Sequence, residues 1–327
     1  MKPLIITKKL KKWFELKLGF LASLRGKKVY VKAVDGVSLD IYRKEIFGLA
    51  GESGCGKTTC GKLLIRLLEP TAGKTFFDGV NIYELDKNEM KIFRRRMQMI
   101  FQDPYESLNP RMTIYDILSE PINVHKLAKT REEKVDMVCK ALEDVKLVPP
   151  EEFLERYPHE LSGGQRQRVC IARALILNPE FIVADEPVSM IDMSLRAEIL
   201  NLMLDIKEKY GLTYLFITHD LALAKYICDR IAIMYLGKIV EQGNTEKIID
   251  QPLHPYVKAL VSAVPTPEPD IKIGEIPIRG EVPDPINLPP GCRFWPRCPY
   301  AKDICKKEEP KLIKIDKDRW IACHEVA

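Results

Sequence analysis

The sequence predicts an α/β fold with a small appended domain, and three observations carry that prediction. Short, continuous apolar runs (Ile46 to Ala50, Phe181 to Ala184 and Thr213 to Ile217) read as strands covered on both faces, and helical periods separate them. A glycine-rich stretch, Gly51-Glu52-Ser53-Gly54-Cys55-Gly56-Lys57-Thr58, follows the first run directly. After Gly243 the composition shifts to a proline-punctuated tail whose end is crowded with cysteine.

Each element follows in order. Val37, Leu39 and Ile41 alternate as in a half-buried strand, and Ile46 to Ala50 is the first covered strand. Between Gln102 and Leu161 no covered run occurs. Helical periods at Ile114 to Ile117 and Val135 to Leu142 place a helical subdomain at about residues 104–165. Leu195 to Lys209 reads as a helix, and Ile231 to Tyr235 with Lys238 to Glu241 reads as a hairpin turning at Leu236-Gly237. The expected division is 1–243 for the main domain and 244–327 for the tail.

The chain has 327 residues, enough for about two domains, and 46% hydrophobic residues exclude a wholly disordered chain. No run reaches the ~18 apolar residues of a membrane-spanning helix, and the first residues lack a secretory leader pattern. A soluble or peripheral protein in the cytosol is the expectation. The net charge of +5 is too mild to argue for nucleic acid. The charge is uneven, however: ten basic residues up to Lys32 face Glu15 alone. With Leu4, Leu10, Trp13, Phe14, Leu18 and Phe20 interleaved, this stretch reads either as a basic amphipathic segment near an anionic membrane or as a solvated, partly ordered lead-in.

The stretch 51–58 fits G-x-x-x-x-G-K-[ST] between a strand and a helical pattern, which is how a chain cradles a polyphosphate. Glycines let N–H groups curl around the anion, Lys57 reaches the outer phosphates, and the Thr58 hydroxyl, with Thr59 beside it, stands at the Mg²⁺ position. Phe181 to Ala184 ends in Asp185-Glu186: Asp185 would hold Mg²⁺ through water and Glu186 would polarise the attacking water. Gln102, ending the strand Met97 to Phe101, can touch Mg²⁺ and that water. Ser162-Gly163-Gly164-Gln165 opens a helix and makes a second anion site, explained most simply if it serves the nucleotide of a partner subunit. His219 follows a third sheet strand and can contact the terminal phosphate, and Asp192 lies where a dimer interface would cross.

In this order, the set resembles an ABC-transporter ATPase subunit over about residues 29–243, and the resemblance implies a RecA-like P-loop core with those roles position by position. Cys55 replaces a common Ser, and Ser189-Met190-Ile191-Asp192 departs slightly from the family pattern. Phe101 to Met112, with His254-Pro255-Tyr256 through Pro265, resembles the oligopeptide/dipeptide importer branch, nearer its F-type ATPase. That resemblance implies ATP hydrolysis driving peptide import at the cytoplasmic side of the cell membrane. The implied partners are a second, D-type ATPase subunit in a heterodimer, two permease subunits and, indirectly, an extracellular substrate-binding protein, with no nucleic acid. The same motor in an oligosaccharide importer, or a soluble non-transport ABC ATPase, are the alternatives. The adenine should stack on Phe14 or Tyr30.

Cys292, Cys298, Cys305 and Cys323 are separated by 5, 6 and 17 residues. Four thiolates can hold Zn²⁺ or an iron–sulfur cluster. Zinc usually takes tighter knuckles, the wider gaps suit [4Fe–4S], and the importer branch is similar in carrying one. His324 is a weaker alternative ligand.

Overall fold

The computed structural model describes residues 2–16, 28–263, 278, 280–281 and 283–326. The chain divides into two compact units, residues 1–84 with 216–327, and residues 85–215. The boundary expected at 243/244 falls inside the first of these.

In the first unit, the strand Pro3–Leu16 pairs antiparallel with Val29–Val37, Asp40–Tyr42 and Ala72–Phe77. This corrects the reading of the basic N-terminal stretch as a membrane-lying segment or solvated lead-in. Leu4, Ile5 and Leu10 are buried, and the Trp13 indole N–H donates to Asp35 at 3.1 Å, so these residues are held in a sheet. Lys17, Leu18, Phe20, Arg25 and Lys27 of that stretch lie outside the described residues.

A second layer of this unit runs in the order Ile313–Asp316, Arg319–Ile321, Lys238–Asn244, Arg230–Tyr235, Ile46–Ala50. Arg230–Tyr235 and Ile46–Ala50 are parallel and wholly apolar inside, as the covered runs predict. The expected hairpin forms, with Gly237 at φ 83° in its turn. The tail is stitched into this layer. Arg319–Ile321 pairs with Lys238–Asn244, and Arg319, itself buried, donates to the buried carboxylate of Glu241.

His254 is fully buried beside this pair. Its Nδ1 accepts from the Tyr256 N–H at 3.0 Å, and burial presses its pKa from 6.5 down to about 3. The folded value lies below the unfolded one, so the neutral ring stabilises the fold above pH ~6.5, and that contribution is lost as pH falls toward 3. We expect the midpoint of urea unfolding to drop between pH 7 and pH 5, and this pH slope to be shallower in His254→Gln.

In the second unit, Met97–Ile100 and Phe181–Asp185 run parallel, with Ile100 opposite Ala184. The stretch expected to be helical carries the helices Pro104–Ser107, Ile114–His125, Arg131–Asp144 and Glu151–Leu154, followed by Gly163–Leu175. Thr113 and Thr130 each cap a helix through a reciprocal box with Asp116 and Glu133, which fixes where those helices begin. Met193–Tyr210 is the expected long helix, closed by Gly211 at φ 64°.

Candidate nucleotide site

The glycine-rich loop, in the first unit, is shaped by close approach of backbone to backbone. A Cβ on Gly51 would lie 2.2 Å from the Met234 carbonyl oxygen, and one on Gly56 would lie 1.9 Å from that of Ala33. Both glycines also have positive φ, 152° and 106°, so no other residue fits either position. Gly54 has φ 77° with open space around it and serves the turn alone. The helix Lys57–Leu64 starts directly behind the loop, aiming its first N–H groups and positive dipole end at whatever the loop holds. Lys57 is buried, and its ammonium donates to the carbonyls of Gly51 at 2.7 Å and Glu52 at 3.0 Å. Thr58 and Thr59 occupy the next two helical positions; Ser53 and Cys55 complete the loop.

Two contacts to this loop have no counterpart in the sequence reading. The Glu52 N–H donates to the Tyr256 hydroxyl at 2.9 Å. The Glu52 carboxylate accepts both arms of the Arg297 guanidinium, at 2.8 and 3.1 Å. A nearby buried pair is similar: Arg293 donates to Asp35 and to the Leu236 carbonyl. Burial works against the charge on Asp35, but Lys238 and Arg293 more than offset it and hold the carboxyl below its usual range.

The aromatic candidates for adenine stand on the ladder between Pro3–Leu16 and Val29–Val37. Tyr30 lies opposite Glu15 and shares a face with Trp13, ring centroids 6.3 Å apart. Phe14, opposite Val31, points to the other face, is 38% exposed, and carries the Lys12 ammonium 5.2 Å above its ring. His219, which belongs to this unit, is exposed just beyond the strand Thr213–Thr218, and Asp220 caps the helix that follows.

In the second unit, parallel pairing sends the carboxyl ends of Met97–Ile100 and Phe181–Asp185 to one edge, which is where open α/β sheets bind ligands. Gln102 and Glu186 meet there: the Gln102 amide donates to the Glu186 carboxylate at 3.2 Å. Asp185 is buried one residue earlier. Glu186 has φ 46°, a left-handed conformation costing on the order of 1 kcal/mol or more, and Ser189 holds it by donating its N–H at 3.1 Å and its hydroxyl at 3.0 Å to the Glu186 carbonyl.

Ser162 caps the helix Gly163–Leu175 through a reciprocal box. Its hydroxyl accepts from the Gln165 N–H at 3.3 Å, and Gln165 accepts from the Ser162 N–H at 3.0 Å. A Cβ on Gly163 would have only the Tyr105 hydroxyl near it, at 3.8 Å. Gly164 packs against Leu195 instead, where a Cβ would stand 3.2 Å from the side chain. The segment following Gln102 is fastened to this helix. Arg173 donates to the Ser107 carbonyl at 2.6 Å, and the Arg166 guanidinium lies 4.2 Å from the Tyr105 ring centroid. Asp192 is exposed at the start of Met193–Tyr210.

The ABC transporter family model matches residues 34–189, which include the loop, Gln102, the Ser162 helix and Asp185-Glu186. Residues 240–305 match the C-terminal region of oligopeptide/dipeptide transporters. YkfD of Bacillus subtilis, named for oligopeptide transport ATP binding, is 50% identical over 95% of this chain and 93% of its own length. The chain belongs to the ABC transporter ATPase family. A Brucella ovis relative named for peptide import ATP binding is 50% identical over 90% of this chain and 92% of its own. AppF of Bacillus subtilis, an oligopeptide transport ATP-binding protein, is 47% identical over 96% and 94%. Among solved structures, an ATP-binding cassette captured as a dimer in a post-hydrolysis state with ADP and Pi aligns with a TM-score of 0.63. It is 30% identical and covers 74% of this chain and 98% of its own. The fold of this ABC ATPase is therefore the expected P-loop core, and ATP is its substrate.

The four tail cysteines of the ABC ATPase lie in the first unit. Each of Cys292, Cys298 and Cys323 feels the charge of its neighbours in the set, and Cys292 is pushed up to about 11, first by burial and then by Cys305, Cys323 and Cys298. The backbone N–H groups of Phe294 and Tyr300 favour the thiolates of Cys292 and Cys298, and those of Glu325 and Val326 that of Cys323, against the larger opposing effect of burial. Such donors stabilise thiolate, so the donor chemistry suits a thiophilic metal group. Among the described residues, however, no group of three or more His, Cys, Asp or Glu side chains is arranged to hold a metal ion. His324 is turned elsewhere, its Nε2 lying 3.0 Å from the Glu308 carbonyl. Among the described residues no helix is long and apolar enough to cross a membrane.

Proposed function

We propose that the chain is the ATP-hydrolysing subunit of an importer of di- and oligopeptides, attached peripherally to the cytoplasmic side of the cell membrane. The observation that carries this reading is the pairing of an ATPase core with a peptide-transporter C-terminal region, in a chain about half identical to peptide-import relatives along nearly its full length.

In this reading the phosphate loop 51–58 and the helix behind it receive the ATP phosphates, with Lys57 on the outer ones. Thr58, Asp185 and Gln102 supply the oxygen donors that suit Mg²⁺, whose charge offsets that of the phosphates. Glu186, oriented by Gln102 and by its own constrained backbone, takes a proton from the attacking water as that water adds to the γ-phosphorus, while the bond from phosphorus to the β–γ bridging oxygen breaks and its electron pair leaves with ADP. His219 contacts the γ-phosphate, and the adenine stacks on Phe14 or Tyr30. Ser162, Gly163, Gly164 and Gln165 face the nucleotide of a second, D-type ATPase subunit across a head-to-tail dimer, near Asp192. Two permease subunits and an external binding protein complete the assembly. Cys292, Cys298, Cys305 and Cys323 would hold a [4Fe–4S] cluster, a reading supported by their number and wide spacing alone, with Zn²⁺ the alternative; absence of iron and sulfide from anaerobically purified protein overturns the cluster.

The experiment is reconstitution of the chain with its neighbouring permease, ATPase and binding-protein subunits in liposomes. ATP hydrolysis stimulated by tri- to pentapeptides, with uptake of labelled peptide, is the expected result. Stimulation by oligosaccharides alone, or hydrolysis indifferent to the membrane subunits, contradicts it.

A further inference from the structure

The ATP-binding loop of this chain is tied to the cysteine-bearing tail across 245 residues of sequence, through Glu52 and Arg297. Glu52 is the second residue of the loop, and three contacts converge on it. Its carboxylate takes the two-pronged guanidinium of Arg297, its N–H donates to the Tyr256 hydroxyl, and its carbonyl accepts from Lys57. Arg297 is 7% exposed and the Glu52 side chain 25%, so the pair is partly screened by solvent.

The backbone that carries Arg297 is braced by its neighbours. The Arg297 N–H donates to the Phe294 carbonyl at 3.0 Å, and the Phe294 ring packs against Tyr235, Tyr256 and His254, with centroids 5.3, 5.4 and 5.8 Å away. Tyr256 and Arg297, the two groups that grip Glu52, thus stand on one aromatic cluster. The geometry matters electrostatically. A loop built to receive a polyphosphate carries a carboxylate in its second position, and an uncompensated negative charge there opposes the ligand. A bidentate guanidinium both cancels that charge and fixes the peptide whose carbonyl positions Lys57.

We propose that Arg297 is a positioning residue for the phosphate loop, acting through Glu52, so that the C-terminal tail sets the affinity of the site for nucleotide. This deepens the reading of the chain as an ATPase and rests on it. The side chain does not need to touch ATP.

The test is titration of the 327-residue chain with MgATP in five forms: unaltered, Arg297→Gln, Arg297→Lys, Glu52→Gln, and the double variant Arg297→Gln/Glu52→Gln. Arg297→Gln should raise the Kd about tenfold, the scale of one uncompensated charge in a partly screened site. Arg297→Lys, which keeps the charge and loses the fork, should raise it by about threefold. The double variant should bind more tightly than Arg297→Gln, because removing the stranded carboxylate removes the repulsion; a merely structural arginine gives no such recovery. Unchanged affinity in Arg297→Gln and Arg297→Lys, or a double variant no better than Arg297→Gln, overturns the proposal. If the unaltered chain itself fails to bind MgATP, the ATPase reading fails instead, and the two failures are told apart.

Discussion

Replacing Glu186 by glutamine is expected to leave MgATP binding near its original affinity and to lower ATP hydrolysis by about 10²–10⁴-fold, the range contributed by a positioned general base. The substitution isolates the chemistry because it changes little else. Glutamine keeps the length of the side chain and an oxygen that can still accept from the Gln102 amide, now 3.2 Å from the carboxylate. It also faces the same backbone requirement as glutamate at φ 46°, so the turn closed by Ser189 should persist. What is lost is the negative charge and the capacity to take a proton. Phosphate release under single-turnover conditions, alongside equilibrium nucleotide binding, checks both halves of the expectation. Hydrolysis at the original rate removes Glu186 from the base position.

The second large effect is expected at Gly56. Alanine there would place a Cβ 1.9 Å from the Ala33 carbonyl oxygen while demanding φ 106° of a residue that rarely adopts it. The nearest obstacle, the Ala33 carbonyl, is backbone and cannot swing aside as a side chain can, so the backbone itself must move. The local cost is about 3 kcal/mol or more, and the loop that pays it is the one aimed at the phosphates. Gly56→Ala should therefore lose MgATP binding by at least about 100-fold and melt earlier than the unaltered chain. Gly54→Ala meets no atom and carries only the strain of φ 77°, so its effect should be clearly smaller. Equal binding by the two variants would mean that crowding against Ala33 does not shape the loop.

The parts of the fold that could be read in advance are those whose physics is local. Ile46–Ala50 and Phe181–Asp185 are covered on both faces, so burial writes itself into an unbroken apolar run, and the motifs sit at fixed offsets from those runs. The N-terminal strand is different. Its register shifts between Leu10 and Lys11 and again between Lys12 and Trp13, and Lys9 has φ 47°, so alternation is broken just where it would have signalled a strand. A run of lysines on the remaining exposed positions then imitates a basic surface segment.

The grip of the tail on the loop was not legible for another reason. Arg293 and Arg297 stand out beside cysteines, but nothing in their neighbourhood points to Asp35 or Glu52, from which 258 and 245 residues separate them. The same holds for Tyr256, whose hydroxyl finds the Glu52 N–H from 204 residues away. Pairings of that kind are set by the tertiary fold, and a single sequence carries no local trace of them.

If the chain binds and cleaves ATP with its own phosphate loop and Glu186, it must take up nucleotide unaided. Calorimetric titration of MgATP into the purified 327-residue chain is the decisive measurement. One saturable equivalent of nucleotide per chain, bound more weakly when magnesium is withdrawn, is the expected result. A flat titration across the micromolar to millimolar range would contradict it.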